Sequence, residues 1–454
     1  MMEFPVQWLS EALGPLLIDT QGDAYAVATG ITTDSRQVKP GDVYVALVGE
    51  KFDGHDFVAM AVEKGATAVV VSRPVETSAT MLLVSDTLLA YGLIARAHRL
   101  AFTLPLAMVV GSNGKTTTTQ MLARVLAAHC GDRALSTQGN FNNEVGVPRT
   151  LLGLHDGIEM GVVEAGINHR GEMARLVAFI RPTLTLVTNA QREHQEFLDG
   201  VRESARENGL AIVGLMDEGV AVLPATDPEF GVWHDLAVAR GVRFMTYGLS
   251  HDKAEVQPDV WGELTPEGLL VHYAEGLVAI GLQIAGEHNA HNALGVFATA
   301  REMGVPLAAI IAGLEAFQPI KGRGTREKSA SGNLNIIDES YNANPDSVRA
   351  AMRVLAQEPV SPKIFVLGDM GEVGENAQAV HHEVGAYAKS LGIDQLIAIG
   401  PLSAEAACAF GEGAVSVTRE QAYELLKDAH GVVTIKASHF MGLERLVAQL
   451  TQKE

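Results

Sequence analysis

Only two cysteines occur in 454 residues, Cys130 and Cys408, and their separation excludes both a disulfide framework and a cysteine metal cluster. They read as reduced thiols of a cytoplasmic chain. Charged residues are scarce at 19% while hydrophobic residues reach 47%, which excludes a disordered chain. Basic residues are in deficit: 34 Lys and Arg against 54 Asp and Glu leave a formal net charge of −20. Such a surface repels nucleic-acid backbones, so nucleic acid is not an expected partner. A local cradle of amides, a lysine and Mg²⁺ can still take an anionic ligand. No apolar run approaches the ~18 residues of a membrane span. The opening M-M-E-F-P-V-Q-W-L-S lacks the basic region and apolar core of a secretory leader, so none is expected.

What the chain does carry is V-V-G-S-N-G-K-T-T, Val109 to Thr117. It follows the apolar run Leu106 to Val110 and precedes Met121, Leu122, Val125 and Leu126, whose spacing predicts a helix. A strand, a tight loop of Gly111, Ser112, Asn113 and Gly114, then Lys115, Thr116 and Thr117 opening a helix, make a phosphate cradle. Loop N–H groups point at phosphate oxygens, Lys115 reaches the β- and γ-phosphates, and the Thr116 hydroxyl suits Mg²⁺. The loop is shorter than G-x-x-x-x-G-K-[ST], with Val109 where the first glycine would stand.

At ~150 residues per domain the length predicts about three domains. The boundaries read as 1–86, a small mixed α/β domain; 87–318, a central P-loop-type domain with a mostly parallel sheet; and 319–454, a Rossmann-like domain without G-x-G-x-x-G. Thr87 to Leu100 reads as a connecting helix. Apolar runs at Leu106–Val110, Gly161–Val163, Leu184–Thr188 and Val220–Leu223 alternate with helical stretches, the rhythm of βαβ units. Arg243 to Ala285 reads as an antiparallel addition. Lys321 to Thr325, K-G-R-G-T, reads as a hinge. Strands are expected at Leu334–Ile337, Ile364–Leu367, Gln395–Ile399 and Val432–Ile435.

Several polar clusters sit beside these elements. Glu164 ends a predicted strand, where open α/β sheets bind ligands, and can hold Mg²⁺ directly or through water; alternatively it is a surface glutamate. His194, in L-V-T-N-A-Q-R-E-H, reads as a metal ligand, a phosphate contact or a loop histidine. Thr137 to Pro148 is dense in amides, among them Asn140, Asn142 and Asn143, suited to a sugar or peptide or to Asn-based turns. Gly286 to Leu294 opens a helix with His288, Asn289 and Asn292. Asp338 to Ser347, D-E-S-Y-N-A-N-P-D-S, follows a strand.

In this order the motifs resemble those of the Mur ligase family over nearly the whole chain. The G-x-N-G-K-T loop and the H-N-x-x-N run carry the likeness, with G-N-F-N-N-E-V-G-V-P, D-E-S-Y-N-A-N-P and V-L-G-D-M-G-E-V-G, and with T-T-D-S-R and G-E-K-F-D-G-H-D-F in the first block. The resemblance implies an ATP-dependent ligase of peptidoglycan synthesis, a cytoplasmic monomer. It would join D-alanyl-D-alanine to a UDP-linked muramoyl tripeptide through an acyl phosphate. By position, Lys115, Glu164, His194 and Arg323 are implied as catalytic. Thr116 and Glu164 would ligate a first Mg²⁺ and His194 a second. His288, Asn289 and Asn292 would lie near the adenosine, Arg323 on the ATP phosphates, and Asp338 or Glu339 at the ribose. Ser35, Arg36, His55 and the Asn140–Asn143 run would hold the UDP-sugar substrate, and Tyr341, Asn342 and Asn344 the dipeptide.

The chain departs from that pattern. Members of the family usually carry a carbamylated lysine, bridging to the second Mg²⁺, at the position Asn208 occupies, and an amide cannot be carbamylated in that way. Glu207 or a water is then expected in the carbamate's place, or a weaker second metal. Asp338 and Glu339 stand for paired aspartates, and Val110 for a threonine. Two other readings stay open: an amide ligase of the same superfamily with another substrate, and a nucleotide-binding regulator without chemistry.

Overall fold

The computed structural model describes residues 3–452 except 194, 251–253 and 255. Among these, three main sheets follow one another along the chain. The first has five strands in the order Leu17–Gln21, Thr80–Val84, Ala68–Val71, Asp42–Val45, Gly30–Thr32, all parallel except the first. A two-stranded pair, Phe4–Pro5 with Val27–Ala28, flanks it. The helix Thr87–Leu100 follows as its spacing predicts. Ala90, Tyr91 and Ile94 pack into the first core and Ala95 into the second, so this helix mortars the two units together.

The second sheet has nine strands. Within it Leu106–Val110 is flanked by Met160–Glu164 and Leu184–Val187, both parallel to it. All five residues of Leu106–Val110 are buried because helices cover both faces, which is why the run shows no polar alternation. The alternation survives in where side chains go. Ala107 and Val109 enter one core with Met121, Leu122, Val125 and Leu126, while Leu106, Met108 and Val110 enter the other. Arg243–Leu249 pairs parallel with Val220–Pro224, through the crossover helix Phe230–Arg240. The antiparallel addition expected from Arg243 onward therefore begins only at the hairpins of Val260–Thr265, Gly268–Tyr273 and Gly276–Ile280.

The third sheet orders Thr325–Lys328, Leu334–Glu339, Gly431–Lys436, Lys363–Gly368, Gln395–Ile399 and Ala414–Ser416, parallel except for the first. Two separate cores cover its faces, the doubly wound layering the sequence suggests. The carboxyl ends of the second and third sheets face each other across one cleft. No helix among the described residues is long and apolar enough to cross a membrane.

Candidate active site

The cleft between these strand ends is a cavity of about 570 Å³. On one wall lies the phosphate loop. Gly111 has φ +125°, and a Cβ there would stand 2.2 Å from Thr188 Oγ1. Gly114, φ +81°, is the N-cap of the helix Lys115–Cys130, and its Cβ would stand 2.8 Å from Asn292 Nδ2. Only glycine fits either position. Asn189 fixes the loop from below, its carbonyl accepting from Ser112 N–H at 3.0 Å and its Oδ1 from Asn113 N–H at 2.9 Å. Lys115 Nζ donates to Gly111 O at 2.5 Å and Ser112 O at 2.9 Å, and lies 3.2 Å from Glu193 Oε2.

Glu164 closes the strand Met160–Glu164 and is 1% exposed. Its Oε1 accepts from the Thr116 hydroxyl at 3.0 Å and from Asn142 Nδ2 at 2.7 Å. Its Oε2 is buried with no hydrogen-bond partner among the described residues. An orphaned carboxylate oxygen beside a threonine hydroxyl is a donor set suited to a hard divalent cation, so the residues present fit Mg²⁺. Among the described residues no cluster of three His, Cys, Asp or Glu forms a metal site by itself.

The opposite wall belongs to the third sheet. Arg323 stacks over the Tyr341 ring at 4.1 Å. Lys436, at the end of Gly431–Lys436, donates to Asn342 O at 2.8 Å and sits 3.4 Å from Glu339 Oε2. Burial pushes the Lys436 ammonium down, Glu339 and Asp338 pull it back up, and Arg323 opposes it. His288 is held to about 4 by desolvation, with Arg353 and Lys436 adding repulsion, so its imidazole is neutral near pH 7. Lys115, Arg323, Arg353 and Lys436 thus bring cationic groups to one cavity of a strongly acidic chain. Carboxylates line the cavity as well, Glu164, Glu193 and Glu339 among them, so a polyphosphate would be met by individual cations and by a divalent ion on Glu164 and not by a net positive field.

The two walls touch. Asn344 Nδ2 donates to Asn113 Oδ1 at 2.8 Å and Asn113 Nδ2 returns a bond to Asn344 Oδ1 at 3.3 Å. The same Asn344 side chain caps the helix Pro345–Ala356, accepting from Ser347 N–H at 2.9 Å. Arg192 grips Asp346 with its backbone N–H and guanidinium, the shortest contact being 2.7 Å, and reaches Glu383 at 2.8 Å.

The cavity gathers most of the residues singled out from the sequence: Ser112 to Thr117, Asn140, Asn142, Asn143, Glu164, His288, Asn289, Asn292, Arg323, Glu339, Tyr341, Asn342 and Asn344. Others fall elsewhere. Gly111 lies beneath the loop rather than on the cavity wall. Asp338 is fully buried, its oxygens accepting from Gly322 N–H and Ser340 N–H, so it ties down the 321–325 turn and leaves Glu339 to face the cavity. Ser35 and Arg36 lie in the turn after Gly30–Thr32, and His55 in the short helix Gly54–Phe57 after Asp42–Val45, and none of them lines the cavity. Arg36 projects into solvent paired with Asp34. His55 is buried, with Nδ1 2.6 Å from Asp53 and Nε2 accepting from Ser72 N–H at 2.9 Å, a fold-supporting arrangement. His194 lies outside the described residues. Glu207 caps another helix through Gly171 N–H at 2.7 Å and Met173 N–H at 3.3 Å; the carboxylate on Asn208 is Glu193. Sequence reasoning missed Glu193, Arg192, Arg353 and Lys436. Lys436 carried the same signal as Glu164, a charged residue ending an apolar run.

Comparison with known proteins agrees along the chain. Residues 27–99 match the Mur ligase family catalytic domain, 109–300 the Mur ligase middle domain, and 322–439 the Mur ligase, glutamate ligase domain. The UDP-N-acetylmuramoyl-tripeptide–D-alanyl-D-alanine ligase of Escherichia coli strain K12 is 36% identical over 431 residues, covering 93% of both chains. A MurF crystal structure from Acinetobacter baumannii superposes with a TM-score of 0.89 at 31% identity over all of both chains. The Thermotoga maritima MurF ligase in complex with ADP shares the fold, with a TM-score of 0.81 at 23% identity over 93% of this chain and 97% of that one.

Proposed function

The chain belongs to the Mur ligase family, and from that premise we propose that it joins D-alanyl-D-alanine to UDP-N-acetylmuramoyl-tripeptide in an ATP-dependent reaction of peptidoglycan synthesis. The observation that carries this is the cleft itself. The Lys115–Thr116–Glu164 site on one wall faces Arg323, Tyr341 and Lys436 on the other, the juxtaposition a phosphoryl-transfer ligase needs.

A carboxylate is a poor electrophile, so its oxygen must first become a leaving group. The tripeptide's terminal carboxylate oxygen attacks the γ-phosphorus and the bond to the β-phosphate oxygen breaks, giving an acyl phosphate and ADP. The neutral amine of D-alanyl-D-alanine then attacks the acyl carbon, phosphate leaves and the amine's proton is released. Such transfer needs positioning and charge neutralisation more than covalent help. The N–H groups of the helix start, Lys115 to Thr117, orient the phosphates, Lys115 neutralises them, and Arg323, braced on Tyr341, presents a guanidinium from the opposite wall. Thr116 and Glu164 would hold Mg²⁺, which when bound supplies further neutralisation of the phosphate charge. His194 is proposed for a second metal, and His288, Asn289 and Asn292 for the adenosine side. Glu339 is proposed for the ribose. Ser35 and Arg36 are proposed for the uridine end, Asn140 and Asn143 for the muramoyl peptide, and Tyr341 and Asn342 for the dipeptide. The cytoplasmic location is part of the same proposal.

Phosphate release is expected only when the tripeptide nucleotide and D-alanyl-D-alanine are both supplied with ATP. Release that ignores either one would overturn the reading.

A further inference from the structure

Asn208 lies in the helix Val201–Val213 and is 1% exposed, yet none of the steps above uses it. Both amide hydrogens and the carbonyl oxygen are engaged. Oδ1 accepts from Gly111 N–H at 3.1 Å, while Nδ2 donates to Glu193 Oε1 at 3.1 Å and to Ser204 O at 3.0 Å. Glu193 is 4% exposed and divides its oxygens, Oε1 on Asn208 and Oε2 on Lys115 Nζ. Lys115 Nζ in turn donates to Gly111 O. The bonds form a closed circuit that leaves Gly111 by its N–H and returns at its carbonyl.

We propose that Asn208 is a positioning residue for phosphoryl transfer, setting Lys115 against the phosphate loop through Glu193. The inference deepens the ligase reading and rests on it for the identity of the transferred group. The side-chain chemistry is specific. An aspartate keeps the acceptor for Gly111 but turns an oxygen onto Glu193 Oε1 and Ser204 O. A lysine supplies donors but no acceptor for Gly111 N–H. A leucine leaves Gly111 N–H and Glu193 Oε1 buried and unpaired. Gly111 cannot adapt, because its φ of +125° and the 2.2 Å approach of a Cβ to Thr188 fix the turn. Without the Asn208 donor, Glu193 is released from one side and its hold on Lys115 loses direction. Partners that orient metal-ligating side chains are typically worth about 10- to 100-fold, and a comparable loss is expected for a partner that orients Lys115.

The test compares Asn208→Asp, Glu193→Gln and the double exchange Glu193→Gln/Asn208→Asp. In the double variant the glutamine amide donates to the new carboxylate and its carbonyl still accepts from Lys115, so the circuit closes with the 193–208 bond alone reversed. Steady-state kinetics should show kcat/KM for ATP falling about 10- to 100-fold in each single variant and recovering several-fold in the double. The KM for the tripeptide nucleotide should stay within about twofold. Asn208→Asp at wild-type kcat/KM for ATP overturns the proposal, as does an equal loss toward both substrates that the double exchange does not recover. ADP titration calorimetry on the same proteins separates the two readings. If the wild-type chain binds ADP but releases no phosphate with both substrates, the ligase reading fails; ADP affinity unchanged across the variants would then sink the role of Asn208 as well.

Discussion

Lys115 is tethered three times, and those tethers shape what its removal does. Lys115→Ala deletes the cation nearest the loop and leaves Glu193 Oε2 buried without its ion pair, while the Asn208 bonds to Glu193 Oε1 and to Gly111 N–H remain. Phosphate release should fall by at least the order of 10²–10³-fold, with tripeptide-nucleotide binding by calorimetry unchanged. Near wild-type turnover would dismiss the loop assignment. Glu164→Ala should shift the Mg²⁺ titration of activity to higher concentration, because the orphaned Oε2 and the Thr116 contact vanish together; an unmoved titration would make Glu164 a structural residue. At this scale the sequence was legible wherever function follows a local pattern. Lys115 and Thr116 are read from their loop and Glu164 from its strand end. Asn208 stood out only as a departure from the family pattern and Glu193 not at all, since what matters is the contact of residue 208 with residue 111 and of 193 with 115, which only the packing of helix Val201–Val213 against the sheet creates. Asp338 misled for a related reason: its polar neighbourhood looked like a binding site, and the backbone N–H groups of Gly322 and Ser340 use its carboxylate up.

Among the elements, the strand Leu106–Val110 and the helix Lys115–Cys130 meet at a turn that tolerates no side chain. Gly111→Ala should lower stability by more than about 1 kcal/mol, read as a shift of the denaturant midpoint, because a Cβ is strained at that φ and collides with Thr188. A midpoint equal to wild type would mean the turn can relax. Strands were legible as apolar runs because parallel strands covered on both faces are apolar throughout, and Gln395–Ile399 and Leu106–Val110 fall where expected. Arg243–Leu249 was assigned to the wrong kind of pairing. Its direction is set by the helix Phe230–Arg240 that carries the chain back across the sheet, and a strand's own side chains do not encode which neighbour it takes.

For the molecule as a whole, the decisive contact is Arg192 between the second and third sheets. Arg192→Ala should leave the folded content intact but expand the particle in small-angle scattering and weaken turnover; an unchanged radius of gyration would show that the reciprocal Asn113–Asn344 pair closes the cleft unaided. The pH dependence has a defined sign. Burial alone would raise Asp346, but hydrogen bonds from Arg192 outweigh it and hold the carboxyl below its ordinary value. Hydrogen bonds from Arg192 likewise depress Glu383, against a smaller opposing desolvation. Groups depressed on pairing contribute fully above their unpaired pKa and lose that contribution as pH falls through the paired value. Compaction by scattering should therefore be constant from about pH 7 to about pH 5 and fade only below about pH 4. Expansion already near neutrality would assign closure to other groups.

Asn344 performs two tasks with one side chain, ordering the first turn of its helix and gripping the phosphate loop. A helix end ordinarily frays on its own schedule. Here the cap that protects the Ser347 amide is also half of a clasp between two sheets, so solvent reaches that amide most readily when the clasp parts. Deuterium uptake at Ser347 becomes a clock for the cleft, ticking with each excursion of the third sheet and slowing when a bound nucleotide keeps it shut.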